Sequence, residues 1–332
     1  MRAAYITATG PASQIQYGTV ADPVIAPNQV LVQVQAVSVN PIDTYIRAGN
    51  VKFDLPMPFV VGCDLSGTVQ EVGKDVTRFQ PGDRVWGSNQ GLFGRQGTFS
   101  EFCAVDEQWL YPLPQNVSFE AAAAGALVGI TAQLGLYFHA GLRPGDVLFV
   151  NGGTGGVGSA VVQLARAGGA TVITTAGSPE KAETCLRLGA SHVVQYRTEN
   201  VDERLTEITQ QTGPINIWFE TLRMPALDRC IGLMAKRGKI VFMAGRDSRP
   251  EFPVGPFYVK DLRAIGFAMF NASADEQRDA ANALNPLLSG GQWNPQISRV
   301  MPLSDAAAAH QLQEESTLQG SGALAGKIVL KP

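Results

Sequence analysis

The stretch "VLFVNGGTGGVGSAVVQLARAGGATVITTAGSPEKAE", Val147 to Glu183, decides how this chain is read. An apolar run enters five glycines within seven residues and leaves as a helix-compatible segment; a second apolar run then ends in small neutral residues. Gly153, Gly155 and Gly158 satisfy G-x-G-x-x-G between a predicted strand and a predicted helix, the context that gives the pattern meaning. Glycine permits the tight turn and removes the side chain that would block a pyrophosphate. The phosphates would rest on free backbone N–H groups at the helix N-terminus, where the dipole favours them. Such turns also occur without ligand, and the βαβ rhythm on both sides weighs toward a dinucleotide. In NAD-specific sites an Asp or Glu about 20 residues on accepts bonds from the ribose 2′-hydroxyl. Here that place reads Thr174-Thr175-Ala176-Gly177-Ser178, with Lys181 in the next turn. A 2′-phosphate meets no repulsion there, finds hydroxyl and backbone donors, and can pair with Lys181, so NADPH is expected over NADH. Ser178 also reads as a helix N-cap with Pro179 behind it, and Lys181 as a solvated lysine on that helix; these roles are compatible with cofactor binding.

Working outward toward the C-terminus, "HVVQY", "INIWFET", "KIVFMAG" and "RAIGFAM" continue the rhythm of strands separated by helical segments. That rhythm predicts βαβ units feeding a parallel sheet. Toward the N-terminus, "QVLVQVQAVSV", "LSGTVQEVG", "GDRVWG" and "FSEFCAV" alternate with Gly, Pro and Asp turns and predict a mostly β region. "SFEAAAAGALVGITAQLGLYFHA" reads as the helix where the character changes. The expected class is α/β, a Rossmann doubly wound sheet plus a β-rich domain. Its expected boundaries are 1–121, 122–266 and a return to the first domain over 267–332. With 332 residues, two cores are affordable. A formal charge of −3 and 17% charged residues leave no basic stripe for nucleic acid or anionic membrane. No signal peptide is read at the N-terminus and no apolar run reaches a membrane span, so a cytoplasmic location is expected. Cys63, Cys103, Cys185 and Cys230 stand far apart without a CxxC pair, which argues against disulfides and a zinc knuckle. His139, His192 and His310 have no partner spacing and are read as structural or surface residues.

"AVSVNPIDTYIRAG", "VGCDLSGTVQEVG", "GDRVWG", "ALVGITAQLGL", the glycine stretch and "GKIVLKP" resemble, nearly end to end, the zinc-independent quinone oxidoreductases of the medium-chain dehydrogenase/reductase superfamily, the zeta-crystallin-like branch. The resemblance implies a GroES-like catalytic domain built from the N-terminal third plus the C-terminal tail, a Rossmann domain between, and the cofactor in the interdomain cleft. It also implies a homodimer joined through Rossmann sheet edges, with "KDLRAIGFAM" near the contact. By the same resemblance Thr131 lies near the nicotinamide, Gly155, Gly156 and Val157 at the pyrophosphate, and Gly177 and Lys181 at the adenosine phosphate. Tyr196 lies against the adenine ribose or the 2′-phosphate, and Met243, Ala244, Gly245, Phe267 and Met269 at the nicotinamide edge, where they could equally be core.

The superfamily's zinc alcohol dehydrogenases put a cysteine where this chain has Asn40 and His-Glu where it has Cys63-Asp64, and no metal-binding side chain stands near Ala126 to Gly129. Cys63 and Asp64, adjacent on a strand, point to opposite faces, so no zinc is expected and Cys63 reads as a packed thiol. Hydride transfer to a quinone or other electron-poor acceptor needs no Lewis acid. Asn40 and Tyr45 are the expected catalytic pair: Asn40 as a donor to a carbonyl or to the nicotinamide ribose, Tyr45 as a donor or a pocket wall. Their structural alternatives are a turn asparagine before Pro41 and a tyrosine holding the domain together; Asp43 reads as holding the local turn. Two departures stand out. Phe53 occupies the loop in which family members often carry a tyrosine, and the C-terminal region lacks an arginine for the 2′-phosphate, leaving Lys181 with help from Lys327. The expected activity is NADPH-dependent quinone reduction. The alternatives are reduction of enones, 2-alkenals or enoyl thioesters, or nucleotide binding without turnover in a structural or RNA-binding role, for which a basic stripe is missing.

Overall fold

The structure is a computed structural model that describes residues 1–318 and 320–332. Along the chain come β1 (Arg2–Ile6), β2 (Gln16–Thr19), β3 (Gln29–Val39), α1 (Pro41–Arg47), β4 (Phe59–Val60), β5 (Asp64–Val72), β6 (Arg84–Gly87), β7 (Phe102–Asp106), β8 (Leu110–Pro112) and α2 (Phe119–Gln133). They are followed by β9 (Val147–Val150), α3 (Gly156–Ala167), β10 (Thr171–Ala176), α4 (Pro179–Arg187), β11 (His192–Gln195), α5 (Val201–Thr212), β12 (Ile215–Glu220), α6 (Leu227–Leu233), β13 (Met234–Phe242), α7 (Val254–Val259) and β14 (Arg263–Gly266). The chain ends with α8 (Ala274–Ser289), β15 (Ile297–Pro302), α9 (Ala306–Thr317) and β16 (Lys327–Lys331).

Two compact units result. The first comprises Met1–Val128, Ser273–Gly290 and Asn294–Pro332, the second Gly129–Ala272 and Gly291–Trp293. The chain passes from the first to the second inside α2, seven residues beyond the boundary expected from sequence, and α8 belongs wholly to the first. A helix that crosses a domain boundary carries no composition shift to mark it.

In the first unit β2-β1-β4 form a small antiparallel sheet, and β15-β16-β3-β5-β6-β8 a larger one, with β7 also paired to β3. Strand β3 shows why. Val30, Val32 and Val34 alternate inward along its first half, and from Ala36 to Val39 both faces are buried, matching the switch in "QVLVQVQAVSV" from alternating to continuous apolar sequence. The C-terminal "KIVLK" is β16, which pairs antiparallel with β3 through Ile328 opposite Val39.

The second unit is a six-stranded sheet ordered β11-β10-β9-β12-β13-β14, parallel throughout. Its inner strands are apolar runs because helices cover both faces. Phe149 of β9 and Trp218 of β12 sit with ring centroids 4.1 Å apart in the core, among Val147, Ile173, Ile208, Ile215 and Ile240. Strand order reverses at β9, with β10 on one side and β12 on the other; this switch point is where open α/β sheets take ligands, outside the carboxyl ends of the strands.

One sequence expectation is corrected here. Phe119–His139, α2 plus the wider turn that continues it, is 21 residues long with mean hydropathy 1.5, enough by length and composition to cross a membrane. Since 72% of that apolar stretch is buried inside the structure, its hydrophobicity is already spent on protein cores.

Candidate active site

The carboxyl edge of the parallel sheet carries the glycine turn. A Cβ on Gly153 would lie 2.5 Å from Thr174 Oγ1 and 2.8 Å from Cys185 Sγ, and one on Gly158 only 2.2 Å from the Gly152 carbonyl oxygen. Both positions therefore accept only glycine. The turn is stitched to β10: Gly152 N donates to Thr175 Oγ1 at 2.8 Å, and Gly153 N to the Thr175 carbonyl at 3.1 Å. Gly155 is different. It is exposed, its added Cβ would meet nothing closer than 3.3 Å, and Gly156 and Val157 behind it are only partly covered. The first N–H groups of α3 have no acceptor within the helix, so this open face is a ready anion cradle.

The end of β10 supplies fewer hydroxyls than its sequence suggests. Thr174 Oγ1 donates to the Val150 carbonyl at 2.7 Å and Thr175 Oγ1 accepts from the turn, so both are buried and consumed by the fold. Ser178 remains, and it caps α4 by accepting from Lys181 N at 3.3 Å. Glu180, in the first turn of α4, bonds the Ser178 hydroxyl, which holds its carboxyl below the usual range. A Cβ on Gly177 would lie 2.4 Å from the Tyr196 hydroxyl oxygen, so the glycine exists to seat that half-exposed phenol against the end of β10. Arg197, exposed next to Tyr196, lies close enough to Lys181 to matter: burial first, and the Arg197 guanidinium second, hold the Lys181 ammonium below its usual range. Sequence reading passed over Arg197; its signal was adjacency to Tyr196 at the end of the neighbouring strand.

Other expected cofactor residues are distributed over the second unit. Thr131 is buried in α2, and Met243, Ala244 and Gly245 follow β13 in a loop that is partly or fully exposed. Phe267 tilts against His139 at 4.6 Å between centroids, and Met269 is buried.

In the first unit, Asn40 introduces α1, with Pro41 at its first position and Asp43 Oδ2 accepting from Asn40 N at 2.7 Å. Asp43 thus holds the turn. Tyr45 lies half-buried on the same helix. The Asn40 side chain differs from the open donor expected of it: it is fully buried, and its amide is committed on both ends. Nδ2 donates to Asp64 Oδ2 at 2.7 Å and approaches the Ser38 carbonyl at 3.5 Å, while Oδ1 accepts from Lys327 Nζ. Asp64 also accepts from Ser38 Oγ at 2.9 Å and Ser88 Oγ at 2.6 Å, with Lys327 Nζ 3.8 Å away. Lys327 is therefore an internal cation of the first unit, and the expected help to a 2′-phosphate is corrected: its ammonium is buried and bonded to Asn40. Burial lowers its proton affinity, opposed by Asp64 and Asp43. The Cys63 thiol, also buried, lies beside Asp43 and is pushed well above its usual range, mainly by burial. It gives the Asp43 carboxyl only the weak contact that sulfur offers, since Asp43 Oδ1 has no partner at ordinary hydrogen-bond geometry. His310, read from sequence as structural or surface, is fully buried, neutral with its proton affinity pushed down to about 3, and packed edge-on to Phe99.

A parallel sheet with an open glycine turn at its switch point, joined to a unit rich in antiparallel strands, defines a two-domain nucleotide-dependent oxidoreductase fold. Residues 26–115 match the family model "Alcohol dehydrogenase GroES-like domain", and residues 156–285 match "Zinc-binding dehydrogenase". The quinone oxidoreductase of Sus scrofa is 32% identical over 323 residues, spanning 97% of this chain and 94% of its own length. Among solved structures, an NAD-dependent alcohol dehydrogenase superposes with TM-score 0.89 at 29% identity, and the Escherichia coli quinone oxidoreductase complexed with NADPH with TM-score 0.86 at 27% identity, each over the whole of both chains. The chain belongs to the quinone oxidoreductases of the medium-chain dehydrogenase/reductase superfamily, and it is an oxidoreductase.

The buried cluster yields a pH test. Burial raises the Asp43 carboxyl from its ordinary 3.8 to about 7, so the folded state favours the protonated form. A raised folded-state value gives a contribution that is complete below the ordinary value and is lost as pH climbs through about 7. The variant Asp43→Asn cannot titrate. Chemical denaturation at several pH values is expected to show it gaining on the wild type between the ordinary value and about 7, by at most about 1.4 kcal/mol per pH unit. A stability difference that is flat across that window contradicts this account.

Proposed function

We propose that this chain is an NADPH-dependent reductase of quinones that works without zinc. The observation that carries the reading is the second unit's cradle: an open glycine turn beside a strand end that lacks a carboxylate and is flanked by Lys181 and Arg197. The turn is fitted to a pyrophosphate. Lys181 and Arg197, with the Tyr196 phenol, would receive a 2′-phosphate, while the Ser178 hydroxyl stays engaged as the cap of α4 and with Glu180. The relative solved with NADPH supports this choice, while the similarity to an NAD-dependent dehydrogenase makes cofactor preference the first thing to measure.

Bound there, the dinucleotide supplies a hydride from its nicotinamide. A quinone that accepts this hydride and one proton from solvent leaves as the hydroquinone, so two electrons and two protons balance. The aromatic anion formed on the way is delocalised and asks only for a hydrogen bond, which we assign to the Tyr45 hydroxyl. Asn40 is assigned a positioning role, since its amide is spent on Asp64 and Lys327. The donor set around it suits no zinc ion: Asn40 and Asp64 are engaged with an ammonium, and the Cys63 thiol is held in its neutral form by burial. Among the described residues no group of three or more His, Cys, Asp or Glu is arranged to hold a metal. Four free, buried cysteines suit a reducing, cytoplasmic setting.

We also propose a homodimer through the β14 edge. That strand ends the sheet with Arg263, Ala264 and Gly266 exposed, and α7 beside it in sequence exposes Val254, Tyr258 and Val259, two-thirds of the Tyr258 surface being open. An unpaired edge with an apolar neighbour calls for covering. Sedimentation is expected to give a dimer for the wild type and a monomer for Tyr258→Glu combined with Val259→Glu; a monomeric wild type contradicts the proposal.

Chelator-treated enzyme assayed with a benzoquinone, a naphthoquinone, an alkenal and an enoyl thioester tests the function. The expected result is turnover of quinones with at least 10-fold higher kcat/KM for NADPH than for NADH, and loss of about 10-fold of that advantage in each of Lys181→Gln and Arg197→Gln. Equal use of NADH, activity that disappears on chelation, or preference for the alkenal or thioester contradicts it.

A further inference from the structure

The carboxyl edge of the parallel sheet bears a second basic group that the cofactor reading does not use. Lys181 and Arg197 follow β10 and β11, on one side of β9. Arg223 follows β12, and Arg246 and Arg249 follow β13, on the other. All three of these arginines are exposed. Their loops are held to the glycine turn and to each other. Thr221 Oγ1 donates to the Asn151 carbonyl at 2.9 Å, Asn151 Nδ2 donates to Glu220 Oε1 at 3.0 Å, and Leu222 N donates to that same oxygen at 2.8 Å. Gly245, at φ +85°, packs so closely that its Cβ would lie 2.9 Å from the Arg223 carbonyl oxygen. The two loops therefore meet at Gly245. The turn that follows, with Ser248 N donating to the Gly245 carbonyl at 2.9 Å, carries Arg246 and Arg249.

Although Asp247 and Glu251 share the second loop, Arg246 and Arg249 have no carboxylate partner in their own loop among the described residues. Arg249 Nη1 donates to the Ser248 carbonyl at 2.7 Å. The Ser248 hydroxyl beside them is shielded from solvent without a hydrogen-bond partner among the described residues. Leu222 and Met224 flank Arg223 along the chain and Phe252 follows Arg249 by three residues, and all three are exposed. An apolar surface set with arginines suits a ligand with a hydrophobic body and an oxyanion.

A dinucleotide phosphate offers all its charge elsewhere. Its pyrophosphate belongs at the glycine turn and its 2′-phosphate beside Lys181 and Arg197, so no cofactor phosphate is left for the β12 and β13 loops, which lie on the opposite side of β9 about 5 and 10 Å along the sheet. Resting on the cofactor assignment above, we infer that Arg223, Arg246 and Arg249 select an acceptor that carries an anionic group, a carboxylate or sulfonate-type oxyanion on a conjugated apolar body. The reaction is unchanged: hydride to the conjugated system, a proton from solvent, and the oxyanion a spectator held by guanidinium groups.

Matched probes test it on protein saturated with NADP⁺. Calorimetry compares 1,4-naphthoquinone-2-sulfonate with 1,4-naphthoquinone, and cinnamate with cinnamide, so that a ring acceptor and an unsaturated acid are judged separately. The wild type is expected to bind the anionic member of at least one pair 10-fold or more tighter at low salt, with the ratio shrinking as ionic strength rises. In Arg246→Gln/Arg249→Gln, and in Arg223→Gln, that ratio is expected to fall toward one while melting temperature and the Kd for NADPH hold. Equal affinities in the wild type, or a ratio that survives in the variants, overturn the inference. So does a parallel loss of NADPH affinity, which would make these arginines cofactor ligands. Because the readout is binding, the inference is judged even if neither quinone is turned over, a result that would instead count against quinone reduction.

Discussion

Two backbone positions after β9 have no room for a side chain, and the chemistry on the carboxyl edge depends on that. With Gly153 wedged against Thr174 and Cys185, and Gly158 against the Gly152 carbonyl, α3 begins close to the ends of β9 and β10, and its first N–H groups open beside Gly155. Everything else on that edge is placed relative to this turn. Thr175 and Asn151 tie it to the strands on either side, Glu220 joins Asn151 to the loop after β12, and Gly177 gives way to Tyr196. Burial raises the proton affinity of Glu220 against four opposing hydrogen bonds, the signature of a carboxyl group kept inside to organise loops.

The first unit solves a different problem. It buries an ammonium, two carboxyls, an amide and a thiol in one cluster at the head of α1, where desolvation costs several kcal/mol per ion unless partners are close. Asp64 meets that cost with three donors and Lys327, and Lys327 spans from the last strand of the chain to Asn40. Removing one partner of such a cluster leaves an uncompensated charge, so the C-terminal strand is bound to the α1 end by electrostatics as well as by pairing with β3. Tyr45 inherits its placement from this cluster, because Asp43 and Asn40 set where α1 starts.

Much of this was legible in order along the chain. The doubly wound sheet shows in runs such as "DVLFVNG" and "INIWFET" because strands covered on both faces must be apolar throughout, and the glycines mark the turn because no other residue fits. Strand β15, "ISRVMP", gave no such pattern, being partly exposed on both faces at the edge of its sheet. Contacts between distant segments were the main omission. Asn40 and Lys327 are 287 residues apart, so a side chain read as an open donor proved to be committed, and Lys327, expected to help hold a phosphate, is buried with its ammonium on Asn40. Thr174 and Thr175 look like free hydroxyls in sequence and are spent on backbone in the fold. Arg197 was passed over because its proximity to Lys181 arises between adjacent parallel strands, a relation that spacing along one strand does not reveal.

The central claim is that the turn after β9 holds a dinucleotide pyrophosphate, and Gly155 is the position that separates this role from a structural one. An alanine there meets only the Gly152 carbonyl oxygen, at 3.3 Å, a tight contact that a shift of a few tenths of an ångström relieves, but it would stand where the phosphate must approach. Titrating NADPH into the wild type and Gly155→Ala, with melting temperatures measured alongside, decides it. The account predicts Kd raised at least about 10-fold with the melting temperature nearly unchanged. Unaltered NADPH affinity in a folded Gly155→Ala variant would contradict it.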